Sequence, residues 1–134
     1  MAALAREASR NEYFRQHVGA AIVPNTSIGV LDSWIRQHFR YRDEIEEIVR
    51  EPAAMLEDLQ LLGYVEGDCD DVATFTAAVL RAYGYPAKLV AIRYNAADPE
   101  FRHVFVESDG VRLDATVPEG TQHQEIERMV QDVM

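Results

Sequence analysis

A single cysteine, Cys69, is all the thiol chemistry this 134-residue chain contains. One thiol excludes an intrachain disulfide, so the fold is not expected to depend on an oxidising compartment. Basic residues are scarce as well. Thirteen Lys and Arg against 23 Asp and Glu leave a formal charge of −10, with no basic stripe to neutralise phosphates, which argues against nucleic acid as a partner. Long apolar runs are missing too. The longest uncharged run, HVGAAIVPNTSIGVL, has 15 residues and contains Pro24 and Asn25, too short and too interrupted to cross a bilayer. MAALAREASRNEYF carries charges every few residues and offers no apolar stretch of the kind an export signal needs. The expectation is a soluble cytoplasmic chain that does not engage a membrane.

What is present reads as one globular domain spanning residues 1–134, with 48% apolar and 27% charged residues. Residues 3–17 show helical spacing through Leu4, Ala8, Phe14 and Val18, and VPNT (23–26) breaks the pattern. Asn25 or Thr26 is then positioned to cap a helix with Ile28, Leu31, Ile35 and Phe39 on one face. Residues 43–50 suggest a short helical turn. Pro52 suits the first turn of a further helix, whose Met55, Leu56, Leu59 and Leu62 end at Gly63. In EGDCDDVATF, Asp68 caps a helix starting at Cys69, and Asp71 holds the reciprocal position of a capping box. Beyond Gly84 and Pro86 the period changes to two. KLVAIRYN (88–95), HVFVES (103–108) and VRLDATV (111–117) read as strands, the last two joined by the hairpin signal Asp109-Gly110. Thr121 and Gln124 form a capping box for a last helix, with Ile126, Met129, Val130 and Val133 at helical spacing. Helices first and an antiparallel sheet later make an α+β fold.

The hairpin carries a geometric inference. A two-residue turn sets Ser108 opposite Val111, His103 opposite Thr116 and Phe105 opposite Asp114. Side chains alternate, so His103 and Asp114 share one face as diagonal neighbours, roughly 7–8 Å apart at the backbone. An Asp beside a His fixes the tautomer of the ring and stabilises its cation. A thiol at a helix N-terminus feels the positive end of the dipole. Cys69, His103 and Asp114 therefore have the residue types for a nucleophilic triad, provided the helix start docks on that face. Asp68, Asp70 and Asp71 pull the other way, because like charges raise a thiol pKa. Residues 43–71 hold eleven Asp and Glu against Arg50 alone, and such a stretch is either a solvated face or a cleft wall favouring a cationic substrate.

The plainer readings are an inert core thiol, a solvated strand face for His103 and Asp114, and a cross-strand surface pair for Glu107 and Arg112. His17, His38 and His123 read as surface or boundary residues, and Trp34 as helix packing. One Cys and one strand His lack the second close pair that a zinc site needs.

GDCDDVATFTAAVLRAYGYPAKLV (67–90), HVFVE (103–107) and LDAT (113–116) together resemble the transglutaminase-like superfamily of papain-type cysteine enzymes. The resemblance covers about residues 64–117, and it implies a papain-like domain whose Cys-bearing helix packs on a small antiparallel sheet. It implies Cys69 as nucleophile, His103 as general base and acid, and Asp114 as orienter, in a peptidase, amidase or transamidase working through a thioester on a protein or peptide substrate. The backbone N–H of Cys69 is the natural first oxyanion donor; no motif names the second, for which Gln60 and Tyr64 are candidates by their upstream position alone. No cofactor is implied for that chemistry. The GDCDD form also resembles short bacterial and phage-associated members, implying a virion as an alternative location. It is similar as well to calcium-dependent bacterial proteinases, which implies Asp68, Asp70 and Asp71 as calcium ligands. A catalytically idle assembly module and a calcium-binding interaction domain are the other function classes the sequence admits.

Overall fold

A computed structural model describes residues 1–21, 26–42, 50–117 and 125–134. The first helical segment is two helices, α1 (Ala2–Arg10) and α2 (Glu12–Ala21), rather than the one expected over 3–17. Asn11 makes the break, because its Oδ1 accepts the Phe14 N–H at 3.1 Å, an N-cap inside an apparently continuous pattern. α3 (Ile28–His38) is capped by Ser27, whose hydroxyl accepts the Val30 N–H, and not by Thr26; Asn25 lies outside the described residues. The predicted stripe is buried at Leu31 and Ile35, and Phe39 continues the buried line into strand β1 (Phe39–Tyr41). Most of the turn expected over 43–50 lies outside the described residues.

α4 (Pro52–Leu62) starts on its proline and stops at Gly63, whose φ of 81° terminates the helix in the left-handed region. β2 (Val65–Gly67) pairs in parallel with β1, and the Arg42 N–H bonds the Gly67 carbonyl at 2.9 Å. This short ribbon fixes where the chain enters α5 (Cys69–Ala82). From Asp71 to Leu80 every residue of α5 is buried, as expected for a helix enclosed on all sides. α1 presents Ala5 and Ala8 to it, small enough for close approach. Phe75 meets Phe14 edge-on at 6.1 Å and Phe39 at 5.6 Å between ring centroids. Such a helix is the core of the domain, with helices on one side and a sheet on the other.

The sheet has four antiparallel strands in the order β5-β4-β3-β6, built from β3 (Ala87–Arg93), β4 (His103–Ser108), β5 (Val111–Leu113) and β6 (Glu127–Val133). The hairpin register is the predicted one, with Ser108 opposite Val111 and Glu107 opposite Arg112. Asp109 and Gly110 both take positive φ, at 48° and 78°, as a two-residue hairpin turn of this kind requires. β5 is shorter than the predicted 111–117. It ends because Asp114 Oδ1 accepts the N–H and hydroxyl of Thr116, at 3.1 and 2.6 Å, and folds the chain onto itself.

The predicted C-terminal helix is overturned. Residues 127–133 form β6, paired with β3 from Glu127–Arg93 to Val133–Ala87. A short helix there would have left the long edge of β3 unpaired, whereas the strand satisfies a row of backbone groups. Of the supposed apolar face only Val133 is buried; Ile126, Met129 and Val130 are exposed. Thr121, Gln124 and His123 lie outside the described residues.

Candidate active site

GDCDD is a piece of helix-start engineering before it is anything else. The Asp68 side chain accepts the N–H groups of Asp70 and Asp71 at 3.1 and 3.2 Å, and the Asp71 carboxylate accepts the Asp68 N–H in return. The other Asp71 oxygen accepts the Arg50 N–H at 2.9 Å, tying α5 to the chain entering α4. Asp71 is wholly buried. Gly67 has to be glycine, because an added Cβ would lie 2.7 Å from the Asp71 Cβ. Two of the three clustered aspartates therefore serve backbone amides. Among the described residues no three His, Cys, Asp or Glu side chains group so as to hold a metal ion. The calcium trio of Asp68, Asp70 and Asp71 does not fit that role: Asp71 is enclosed and both its oxygens are committed to amides.

Cys69 occupies the first turn of α5. Its thiol lies against the backbone N–H of Val104, next in sequence to His103. Burial pushes this thiol up to about 11; the Val104 N–H acts against the rise, and the charges of Asp70, Asp68 and Asp114 add to it. The helix dipole favours the thiolate, but burial and three carboxylates outweigh it.

His103 and Asp114 meet as the register requires, with Nε2 and Oδ2 2.5 Å apart and both side chains nearly out of solvent. Burial alone would raise the Asp114 carboxyl, but hydrogen bonds from His103 and Thr116 and the nearby imidazole hold it below the ordinary carboxylate range. An ionised carboxylate only accepts, so Nε2 carries the proton and donates it, which in the neutral ring makes Nδ1 the unprotonated nitrogen.

The route by which the three come together differs from the expected one. Val104 and Val106 face α5 in the main core, while Phe105 packs with Val90 and Ile92 on the opposite face, the face of His103. The helix start does not dock over His103. It meets the end of the sheet, where His103 is the first residue of β4. Cys69 and His103 line one open cleft of about 460 Å³ with Asp68, Asp70, Glu100, Phe101, Arg102 and Met129 among its walls. Gln60 and Tyr64 are not in it. Tyr64 stacks under the Arg40 guanidinium at 3.7 Å and lines a separate cavity with Arg42 and Arg50.

Sequence reasoning missed Thr116 as the second support of Asp114, although Asp two residues before Thr is a local turn signature. It also missed the loop wall at 100–102, where Arg102 pairs with Asp98 and Glu100 at 2.7 and 3.1 Å. The expected Glu107–Arg112 ion pair has the right register and the wrong partners. Glu107 binds Arg128 at 3.1 Å, and Arg112 lies over the Phe105 ring. His17 stacks on Tyr13 and His38 on Trp34, away from the cleft.

A family model for the transglutaminase-like superfamily matches residues 21–123, well over half of the sequence. The chain belongs to the transglutaminase-like superfamily. Neither a search of curated proteins nor one of solved structures returned a match. Membership accords with the α+β architecture. No helix among the described residues is long and apolar enough to cross a membrane.

Proposed function

We propose that this transglutaminase-like domain is a cysteine-dependent amide-bond enzyme, with Cys69 as nucleophile, His103 as general base and acid, and Asp114 as the residue that orients His103. The observation that carries the reading is the His103–Asp114 pair at 2.5 Å, with His103 and Cys69 lining one cleft at the start of α5. A thiol at about 11 is protonated near neutrality, so the reading requires proton removal during attack rather than a standing thiolate. The Cys69 proton passes to His103 Nδ1 as sulfur bonds the amide carbon, and the carbonyl π pair moves onto oxygen. The carbon–nitrogen bond then breaks, the amine leaves with the proton from His103, and a thioester remains. Water or a second amine attacks it, His103 takes the proton of that nucleophile and returns one to sulfur. The Cys69 N–H is the oxyanion donor in this scheme, since Asp68 takes the amides of Asp70 and Asp71.

The substrate class this supports is a protein or peptide segment bearing positive charge. Asp68, Asp70 and Glu100 line the cleft, and its one arginine, Arg102, is already paired. Turnover of such a substrate should fall with added salt, and indifference to salt would remove the cationic part of the reading.

A second reading, a catalytically idle binding or assembly module, is favoured by the raised thiol. Alkylation of Cys69 by iodoacetamide across pH in wild type and His103→Ala decides between them. The enzyme reading expects reaction near neutral pH well above that of a thiol at about 11, and its loss in the variant. A rate that climbs only in alkali and ignores the variant would leave the idle module standing.

A further inference from the structure

A sheet edge exposes unpaired amides and carbonyls, and proteins usually shorten, bulge or charge such edges to prevent pairing. The two edges here are unlike. β5 is three residues long and ends in the Asp114 turn. β6 runs for seven residues, contains neither proline nor lysine, and among the described residues pairs only with β3. Met129 and Val130 in its middle are 58% and 49% exposed, and Ile126 and Met134 flank it at 41% and 66%.

The side-chain order of ERMVQDV (127–133) is self-complementary. Two such strands set antiparallel about a two-fold axis at Val130 place Arg128 opposite the partner's Asp132, and the symmetry repeats the pair. Met129 then lies against the partner's Gln131. A slip of one residue one way brings Glu127 against the partner's Asp132, two like charges, and a slip the other way makes no ion pair. Slips of two residues leave Arg128 opposite Val130 or Met134. Among these registers only the one centred on Val130 joins opposite charges. Arg128 also bonds Glu107 and Glu125 within its own chain, and Lys88 stands beside Asp132 on β3. Glu107 lies on β4, so within one chain the guanidinium turns inward across β3, and pairing would redirect it to the partner's Asp132.

We propose that β6 pairs with β6 of a second copy of this chain, extending two four-stranded sheets into one continuous sheet. The pairing covers the exposed Met129 and Val130 and satisfies the outer backbone groups of the strand. Met129 also lines the cleft, so the second copy forms part of its rim. This inference does not depend on the catalytic reading.

Light scattering coupled to size exclusion, run on the full chain over a wide concentration series, tests it. The expected mass rises to twice the 15.2 kDa of one chain. Asp132→Arg sets like charges opposite each other, and Val130→Lys sets two ammonium groups on the axis. Each should weaken association at least about tenfold, with circular dichroism melts verifying that the fold persists. Val130→Cys in a Cys69→Ala background should cross-link to itself under mild oxidation, and Asp109→Cys at the hairpin tip should not. A wild-type chain monomeric throughout, or a dimer untouched by both charge variants, overturns the proposal.

Discussion

Asp71 and Asp114 are both buried aspartates close to Cys69, and they serve different ends. Asp71 gives one oxygen to the Asp68 N–H and the other to the Arg50 N–H, so its work is to hold the start of α5 against the chain entering α4. Asp114 also bonds its own chain, through Thr116, but its second oxygen goes to an imidazole that lines an open cleft. Burial of a carboxylate therefore does not by itself mark a reactive site. What distinguishes the two is whether the partner is a backbone amide, which has no chemistry to offer, or a side chain that can change its protonation state.

That contrast breaks cleanly under substitution. Asp114→Asn keeps the shape but alters the donor and acceptor pattern seen by His103, so turnover should fall by roughly 10³-fold, far more than the small loss of Tm from the missing carboxylate explains. Asp71→Ala strands two amides and should cost about 2 kcal/mol of stability, several degrees in Tm, with turnover per folded molecule little changed. Urea unfolding and kcat measured on the same preparations check both. If Asp114→Asn instead loses only stability, Asp114 is a second structural carboxylate and the triad reading goes with it.

The sequence made some of this legible and hid the rest for physical reasons. Local rules located the Cys69 helix with its capping box and the Asp109-Gly110 turn, because each is decided by contacts within a few residues. The turn fixed the register, and the register fixed the His103–Asp114 pair. The fate of 127–133 was decided elsewhere. Its apolar spacing fits a helix, but the open edge of β3 claimed it as a strand, and nothing within those residues reveals that edge. β1 and β2, three residues each, were equally invisible because neither is a strand without the other. The meeting of Cys69 with the sheet end rather than its face is also tertiary, set by how α5 packs on Val104 and Val106.

The carboxylates also part company in acid. The folded-state value of Asp114 lies below its ordinary 3.8, so its contribution to stability is complete above that pH and is lost as pH falls through the lower folded value. Asp68 runs the other way. Burial raises it against the amide bonds it accepts, so its part of the stability grows as the carboxyl protonates. Between about pH 5 and about pH 3, urea midpoints should therefore drop further in wild type than in Asp114→Asn, since the variant has lost a group that must be protonated. Parallel curves would mean that the His103–Asp114 bond contributes nothing to the folded state.

The smallest effect belongs to the thiol, where the two regions converge. Burial is the main reason Cys69 rises to about 11, with Asp70, Asp68 and Asp114 adding their charges. Asp70→Asn removes the first of these charges and leaves the Asp68–Asp71 capping box untouched, because Asp70 enters it only through its backbone N–H. The thiol should then titrate lower, and alkylation at mildly alkaline pH should quicken by a few-fold, the size of a single partly screened charge. Asp68→Asn should act in the same direction, at some cost to the cap. If neither substitution moves the alkylation profile, burial alone sets the thiol, and the acidic flanks of Cys69 belong with Asp71 as helix-start structure rather than with Asp114 in the chemistry of the cleft.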